Sequence, residues 1–399
     1  MQLEATTWVR DSHELFDYES RSVEKSFHTV ESSIRMYRRG VNVFLGPDRD
    51  GGMQIHSAKF HIFPIEYPQS ADEGPLEYLL RAVYLDGRCI VQSSERQPEN
   101  SQVIAKKLWT VVKEIGQYAL SEGDIIKLGR FKLRVRQICV GPNDDPVRPD
   151  LSSGGSSINS VGSVAPPEAD GMPCRICLLE GSGSDEDPLI QACNCRGSIQ
   201  YVHLGCLRYW INGRLCLTDA SKHAYLFRQL SCELCKVNYP VEVIMPDGIK
   251  LPLVPMPETR APYIVLENMM RQEGDQSGGG PASRGIFVIS LAGKKMLKLG
   301  RGHESDVRIA DVSISRWHAT VSFTDSGQFI IEDHGSKFGT LVSMRRPRVV
   351  DPTCSEPAKA RLCVQAGRTL IKFNYPPVAG GGTQDSSDMW SVTATTPAA

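Results

Sequence analysis

Eight residues with metal-binding side chains stand in four close pairs, and this spacing constrains the fold more than any other feature of the sequence. The pairs comprise seven cysteines and one histidine, namely Cys174 and Cys177, Cys193 and Cys195, His203 and Cys206, and Cys232 and Cys235. A Cys-x-x-Cys turn directs two sulfur atoms at one metal ion, and a structural zinc ion takes four such ligands in a tetrahedron. The sequence therefore predicts two zinc ions that together use all eight residues.

The competing interpretation of the cysteines is a set of disulfide bonds or buried free thiols. The N-terminus, with Glu4, Arg10 and Asp11 close together, lacks the apolar core of a secretory signal peptide. A reducing compartment keeps thiols available to metal ions, so we favour zinc and expect a cytoplasmic or nuclear protein. No apolar run reaches the length of about 18 residues that is typical of a membrane helix, so we expect a soluble protein without a membrane span.

Acidic and basic residues almost balance, and the formal net charge is −1. Such a chain has no excess of basic residues for binding nucleic acid or an anionic membrane surface. One short basic run, formed by Arg345, Arg346 and Arg348, is typical of a solvated loop. We therefore expect no nucleic-acid partner.

The order and spacing of the ligands distinguish between two kinds of two-zinc fold. Four cysteines, one histidine and three cysteines follow one another in both PHD fingers and RING-CH domains. Seven residues separate Cys195 from His203, which is longer than usual for a PHD finger, and Leu230 stands where PHD fingers carry a tryptophan. Trp210, four residues after Cys206, stands where RING-CH domains carry one. This region therefore resembles a RING-CH domain.

The resemblance implies a cross-braced domain, in which the first and third ligand pairs bind one ion and the second and fourth pairs bind the other. It also implies that a ubiquitin-conjugating enzyme docks on an apolar ridge, and Ile176 and Trp210 stand at the matching positions. Lys236, directly after the last cysteine, matches a basic residue that contacts ubiquitin in many RING domains. The alternative roles are structural: Ile176 and Trp210 cover the zinc core, and Lys236 is a solvated side chain.

A second group of motifs lies beyond residue 285, among short apolar segments with the spacing of β-strands. The motifs are Leu299-Gly-Arg301, Ser305-Asp-Val307, Ser313-Ile-Ser-Arg-Trp-His318 and Asp333-His-Gly-Ser-Lys-Phe-Gly-Thr340. In this order they resemble a forkhead-associated (FHA) domain over its whole length. The resemblance implies a β-sandwich whose loops bind phosphothreonine through Arg301, Ser315, Arg316 and Lys337. A phosphate carries about 1.5 to 2 negative charges and three acceptor oxygens, which suits such a cluster.

Two residues within these motifs have other interpretations. The resemblance to FHA domains implies that His318 connects neighbouring loops. No nucleophile or acid pair accompanies it, so we predict that it takes no part in catalysis. Phe338 stands where FHA domains usually have an asparagine that holds the peptide backbone. The peptide register and affinity are therefore open, whereas phosphate binding itself does not depend on this position.

Short apolar runs also recur between turn-forming residues from position 41 to 140, which indicates a β-rich region. The segment that begins at Gly123 loosely parallels the segment that begins at Gly367. The N-terminal region is therefore a candidate for a second, degenerate FHA-like sandwich. It lacks a Ser-x-x-His motif, and we assign it no phosphate site. The residues before it are polar, with a helix-compatible spacing around Leu15 to Ile34.

These interpretations predict a multi-domain, mainly β protein, in which a two-zinc RING-CH module is flanked by a C-terminal FHA sandwich and an N-terminal β-rich region. Glycine, serine and proline dominate two linkers, which bury too little apolar surface to stay ordered. Asp247-Gly248 predicts a hairpin turn. The predicted segments are 1–40 (polar), 41–140 (β-rich), 141–170 (linker), 171–240 (RING-CH), 241–284 (connector and linker), 285–375 (FHA) and 376–399 (disordered tail).

Both resemblances together imply a RING-type ubiquitin ligase that forms no covalent intermediate. In this hypothesis the FHA domain recruits threonine-phosphorylated proteins, and flexible linkers keep them near the zinc module. The zinc module positions a ubiquitin-loaded conjugating enzyme for attack by a substrate lysine. The competing hypotheses are a non-catalytic zinc-binding phosphopeptide adaptor and, third, a PHD-like reader of chromatin.

Overall fold

The structure is a computed structural model of the 399-residue chain. Most of the predicted linker at 141–170, the linker residues 271–284 and the predicted tail lie outside the residues that it describes. The described residues are 2–9, 15–29, 33–39, 42–47, 77–85, 88–93, 108–141, 147, 162–166, 169, 171–181, 187–215, 217, 223–228, 230–245, 247–270, 285–351, 353–354 and 361–374.

The part of the chain before the zinc ligands is built from strands, together with a one-turn helix α1 (Val112–Ile115). The strands are β1 (Gln2–Trp8), β2 (Val23–Thr29), β3 (Ile34–Arg39), β4 (Asn42–Pro47), β5 (Glu77–Leu85), β6 (Arg88–Ser93), β7 (Trp109–Val111), β8 (Gln117–Ala119), β9 (Ile125–Leu128) and β10 (Phe131–Cys139). The helix-compatible spacing around Leu15 to Ile34 corresponds to no helix among the described residues. Strand β2 lies there instead because it pairs with β1 along its whole length, and tertiary pairing overrides a weak local preference.

The zinc-ligand region combines short strands with one longer helix, α2 (Leu204–Leu215). Its strands are β11 (Gly162–Val164), β12 (Leu189–Gln191), β13 (Val202–His203), β14 (Ala224–Phe227), β15 (Glu242–Ile244) and β16 (Lys250–Pro252). Strand β11 lies within the predicted flexible linker and pairs with both β12 and β15. Strands β15 and β16 form the hairpin predicted at Asp247-Gly248. Neither helix of the described residues combines the length and apolar character needed to cross a bilayer.

The described residues from 263 onward again form strands. They are β17 (Tyr263–Asn268), β18 (Ile286–Ser290), β19 (Met296–Gly300), β20 (Val307–Arg308), β21 (Ala319–Phe323), β22 (Phe329–Asp333), β23 (Thr340–Ser343), β24 (Arg348–Val350), β25 (Leu362–Ala366) and β26 (Thr369–Asn374). The short apolar segments beyond residue 285 form strands, as their spacing predicts. The mainly β fold class is therefore confirmed.

Two β-sandwiches share one long sheet with the order β14-β18-β17-β10-β9-β23-β7-β25-β26-β1-β2. The first half of this sheet packs on the sheet β20-β19-β21-β22-β8, with Leu128, Phe287 and Phe329 in the common core. The second half packs on the sheet β24-β6-β5-β3-β4, with Leu80 and Phe373 in a separate core. Antiparallel pairing of β23 with β7 joins the two halves.

Each sandwich is completed by three strands that come from the other half of the chain. Strands β8 to β10, which precede the zinc ligands, complete the sandwich built from β17 to β23. Strands β24 to β26, at the C-terminal side, complete the sandwich built from β1 to β7. The predicted segments 41–140 and 285–375 therefore both contribute strands to each sandwich.

The two sandwiches also repeat each other in strand order. Strands β1 to β7 correspond to β17 to β23, and β24 to β26 correspond to β8 to β10; one difference is that β4 is antiparallel to β3 whereas β20 is parallel to β19. Each closing hairpin turns at a Gly-Arg pair, and Gly129 and Gly367 have left-handed φ values of 58° and 60° that favour glycine. The internal parallel is present, but Gly129 rather than Gly123 matches Gly367.

The zinc-ligand region is inserted between neighbouring strands of the sandwich built from β17 to β23. The chain leaves after β10 and returns at β17, and these strands pair with each other. Strand β14, from the gap between Cys206 and Cys232, joins the same sheet beside β18. Phe227 of β14 is buried in a cluster with Tyr263 and Val288. The zinc region is thus attached to the sandwich by strand pairing, not only by the flexible linkers that the sequence predicts.

Candidate functional site

Two knuckles with the same backbone geometry present the Cys-x-x-Cys pairs. In the first, the N–H of Leu178 donates to the carbonyl oxygen of Cys174 at 2.8 Å; in the second, the N–H of Lys236 donates to that of Cys232 at 2.9 Å. Leu178 and Lys236 both adopt a left-handed backbone, with φ values of 65° and 62°. The same short motif therefore folds in the same way twice.

The ligand atoms gather into two groups, and within each group they all lie within 4.8 Å of one another. None of the eleven described cysteines forms a disulfide. The interleaved grouping predicted from the sequence is confirmed. The first group is Cys174, Cys177, His203 and Cys206, and the second is Cys193, Cys195, Cys232 and Cys235.

The spacing within the groups fits zinc. Zinc–sulfur bonds of about 2.3 Å in a tetrahedron place sulfur atoms about 3.8 Å apart. The sulfur atoms of Cys195 and Cys232 are 3.8 Å apart, and Nδ1 of His203 lies 3.3 Å from the sulfur of Cys177. Nε2 of His203 lies 3.0 Å from the carbonyl oxygen of Gly181, which places the proton on Nε2 and leaves Nδ1 for the metal ion. These residues hold the two zinc ions.

Hydrogen bonding prepares one thiol in each group for metal binding. Burial opposes ionisation of Cys174 and Cys232, but backbone N–H groups directed at their sulfurs lower the pKa of Cys174 to about 7 and that of Cys232 to about 6. Burial raises the pKa of Cys195 and of Cys206 to about 12. Zinc binding therefore displaces protons from the thiols, and zinc affinity falls as the pH decreases.

Helix α2 begins directly after His203, carries Cys206 of the third ligand pair and covers the zinc core. Asp187 accepts a hydrogen bond from the N–H of Gly205 at 2.6 Å, which satisfies a free donor in the first turn of the helix. Arg208 donates to the carbonyl oxygen of Leu253 at 2.8 Å and ties the helix to the end of β16. The buried face recurs every three or four residues, at Leu204, Leu207, Ile211 and Leu215.

Three loops at one end of the sandwich built from β17 to β23 are connected by hydrogen bonds. The N–H of Arg301 donates to the carbonyl oxygen of Ser315 at 3.1 Å, and the N–H of Lys337 donates to Oγ of Ser315 at 3.1 Å. A side chain at Gly300 would collide with the carbonyl oxygen of Arg316, so glycine lets the first two loops approach. The structure thus brings the four predicted phosphate-binding residues to one place, with Arg301, Arg316 and Lys337 exposed.

His318 connects two of these loops, as the sequence predicts. Its Nδ1 accepts a hydrogen bond from the N–H of Ser315 at 3.1 Å, and its Nε2 lies 3.1 Å from the carbonyl oxygen of Gly339. Burial lowers the pKa of His318 and keeps the ring neutral, with the proton on Nε2. The histidine is therefore a structural link between the loops.

A segment between β1 and β2 covers the loop that contains Lys337. The N–H of Tyr18 donates to the carbonyl oxygen of Lys337 at 2.9 Å, and the carboxylate of Asp17 lies 3.6 Å from Nζ of Lys337. Phe338 packs against an apolar cluster that includes Phe16 and Trp109. Phe338, in place of the usual asparagine, therefore anchors this N-terminal segment.

Comparison with known protein families finds a match for the zinc-ligand region and for the region that contains the three connected loops. Residues 174–235 match the RING-variant domain. These residues form a RING-variant domain. Residues 297–353 match the FHA domain, and the sandwich that contains them also uses β8 to β10, β17 and β18. The match favours a RING-variant domain over the PHD-like alternative.

Several curated proteins resemble part of the chain. It is 37% identical over 76 residues to the probable E3 ubiquitin-protein ligase MARCHF10 of Rattus norvegicus, covering 19% of the chain and 9% of that relative. It is 37% identical over 95 residues to the E3 ubiquitin-protein ligase MARCHF8 of Bos taurus, covering 23% and 28%. It is 36% identical over 72 residues to the ERAD-associated E3 ubiquitin-protein ligase DOA10 of Saccharomyces cerevisiae, covering 18% and 5%. The chain thus spans less than a third of the length of these relatives. No solved structure matches it.

The residues predicted to dock a conjugating enzyme lie on the RING-variant domain with different exposures. The side chain of Ile176 is 40% exposed, and Lys236 is exposed. Trp210 is half-buried against the zinc core and contacts Tyr239 edge-on, with ring centroids 6.1 Å apart. Ile176 is therefore available to a partner, whereas Trp210 both covers the core and borders the surface.

Sequence reasoning missed one exposed residue that belongs with Ile176. Leu234 precedes the second cysteine of its knuckle just as Ile176 does in the first, and it is 61% exposed. Leu178 and Leu179 are also exposed beside the first knuckle. An apolar residue directly before the second cysteine of a Cys-x-x-Cys motif is a pattern from which Leu234 could have been found.

We expect Asp17→Asn to strengthen binding of a phosphothreonine peptide to the FHA domain. Asp17 pairs with Lys337 in the free protein, so a phosphate must compete with it. An ion pair with one exposed partner contributes at most about 1 kcal/mol, so the dissociation constant should fall about two- to fivefold. Isothermal titration calorimetry on the whole chain measures this change.

The control for this prediction is Asp325→Asn, which makes the same change of charge in the turn between β21 and β22. That turn lies at the other end of β21 from His318 and the predicted phosphate-binding loops. Unchanged or weaker binding by Asp17→Asn would show that Asp17 does not compete with the phosphate.

Proposed function

We propose that the protein is a RING-type ubiquitin ligase that recruits threonine-phosphorylated proteins through its FHA domain. The observation that carries this proposal is a RING-variant domain with an exposed apolar residue on each knuckle, joined to the FHA sandwich by the pairing of β14 with β18. The relatives named above are called ubiquitin ligases, which agrees with it.

The proposed mechanism is positioning without a covalent intermediate. Ile176 and Leu234, with the border of Trp210, form an apolar surface for a ubiquitin-loaded conjugating enzyme. Lys236 contacts ubiquitin and orients the thioester. The amine of a substrate lysine attacks the thioester carbonyl, an isopeptide bond forms, and the cysteine thiolate of the conjugating enzyme leaves. Holding two reactants in the correct geometry makes the transfer effectively unimolecular. The zinc ions supply the fold of the knuckles and take no part in the transfer.

Substrate capture is proposed for the exposed side chains of the three FHA loops. Arg301 and Arg316 donate paired hydrogen bonds to phosphate oxygens, Lys337 adds a positive charge, and Ser315 adds a hydroxyl donor. Strand β14 couples this domain to the RING-variant domain, so a bound substrate is presented in a defined direction. Zinc ligation needs reduced thiols, which supports a cytoplasmic or nuclear location.

A reconstituted reaction tests the proposal. The whole chain is mixed with ubiquitin, activating enzyme and a panel of conjugating enzymes, with and without a threonine-phosphorylated protein. We expect ubiquitin chains with at least one conjugating enzyme, and their loss with Ile176→Ala or Leu234→Ala. Phe27→Ala is the control because Phe27 is also exposed but lies on β2.

Two results would contradict the proposal. If no conjugating enzyme supports chain formation, the ligase activity is excluded and the adaptor hypothesis replaces it. If chains form but phosphorylation of the substrate has no effect on its modification, the recruiting role of the FHA domain is excluded.

A further inference from the structure

One guanidinium group connects the two knuckles of the RING-variant domain. Arg175 follows Cys174, a ligand of the first group, but its side chain points to the second group. Its Nη1 donates to the sulfur of Cys193 at 3.3 Å and lies 3.8 Å from the sulfur of Cys232. The same nitrogen lies 3.4 Å from the carbonyl oxygen of Ile199, and Nη2 donates to the hydroxyl oxygen of Tyr239 at 3.1 Å.

The charges of the two groups explain why a cation is needed at the second group in particular. Four thiolates around one Zn²⁺ ion leave a net charge of −2, whereas three thiolates and a neutral imidazole leave −1. Arg175 is half-buried, so water screens this charge only in part. The guanidinium stays protonated in proteins and donates in a fixed, planar geometry. It therefore reduces the repulsion among the sulfurs of the second group.

We propose that Arg175 is the residue that stabilises the four-cysteine zinc site through hydrogen bonds to its sulfurs, and that it links this site to the first knuckle. Loss of these bonds weakens zinc binding at the second group and leaves the first group unchanged. Because Ile176 is the next residue, the same bonds hold the docking loop in place; this last step rests on the proposed function.

The test uses zinc release from the whole chain to a chromogenic chelator, together with cobalt substitution. Arg175→Met keeps the aliphatic packing but removes the charge and the donors, and Arg175→Lys keeps the charge. Cobalt absorption distinguishes a four-sulfur site from a three-sulfur, one-nitrogen site, so each ion is assigned to its group. Arg196→Met is the control, because Arg196 is exposed and follows Cys195 directly.

Residues that hydrogen-bond to metal ligands typically contribute about 10- to 100-fold to metal affinity. We expect Arg175→Met to release one ion about 10 to 100 times faster, the cobalt spectrum to identify that ion as the four-sulfur one, and Arg175→Lys to be intermediate. The control should release both ions as the unmodified protein does.

Equal acceleration of both ions, or no acceleration, would overturn the proposal. If Arg175→Met does not fold, Arg175→Lys decides alone: faster release from the four-sulfur site supports the proposal, and an unchanged rate overturns it. The readout involves no ubiquitin, so its failure is distinct from a failure of the proposed ligase activity.

Discussion

Replacing Cys232 with serine is expected to remove the zinc ion of the second group and to unfold the RING-variant domain. Three ligands would remain, and a hydroxyl group is a poor replacement for a thiolate. A structural zinc ion contributes on the order of 10 kcal/mol of apparent binding energy to folding. That is comparable to the whole stability of a typical domain, about 5–15 kcal/mol, so the small zinc core cannot compensate for the loss.

Zinc content and hydrogen exchange measure this outcome together. We expect the variant to hold fewer than two ions per chain and to lose protection across residues 174–235. Strand β14 should lose protection as well, because it lies between Cys206 and Cys232, whereas β9 and β26 should keep theirs. This pattern would separate failure of the zinc domain from failure of the sandwiches.

Cys354→Ser is the matched control, because Cys354 belongs to neither ligand group. It should keep two ions and native protection. Two bound ions and native exchange in Cys232→Ser would show that the second group is not a structural zinc site.

The zinc ligands could be predicted because the information is local. Each pair stands within four residues of sequence, and the knuckle geometry around Cys174 is repeated around Cys232. The grouping of pairs one and three, and of two and four, did not follow from spacing alone. It came from the resemblance to RING-CH domains, and the structure agrees with it.

The exchange of closing strands could not be predicted from the sequence. The hairpins β9–β10 and β25–β26 both contain alternating apolar residues and turn at a Gly-Arg pair, so their local sequence does not indicate which sandwich each one closes. The chain order suggests that each hairpin closes the nearest sandwich. The pairing of β9 with β23, and of β25 with β7, shows the opposite arrangement.

The contacts that modify the predicted site also join residues that lie far apart in the sequence. Tyr18 contacts Lys337 across more than three hundred residues of sequence, and no motif marks Asp17 as a neighbour of the predicted phosphate-binding loops. Strand β14 is a short apolar run inside a gap between zinc ligands. Its pairing with β18 depends on an open sheet edge that only the folded structure presents.

Arg301→Ala is expected to lower the affinity of the FHA domain for a phosphothreonine peptide about 10- to 100-fold. The side chain is exposed at the end of β19, and its backbone is fixed by the hydrogen bond to Ser315. A hydrogen bond to a charged group contributes about 1.5–3 kcal/mol, and an arginine can donate two to one phosphate.

Two further variants separate the role of Arg301 from a general effect of charge. Arg301→Lys keeps the charge but not the paired geometry, so its affinity should lie between those of the alanine variant and the unmodified protein. Arg308→Ala removes an exposed arginine from the neighbouring strand β20 and should bind normally. Fluorescence anisotropy with phosphorylated and unphosphorylated peptides measures all three affinities. If the chain has the proposed ligase activity, these variants should leave its autoubiquitination unchanged. If Arg301→Ala binds as tightly as the unmodified protein, phosphate recognition does not use this loop, and the surface around Ser315 and Lys337 has another role.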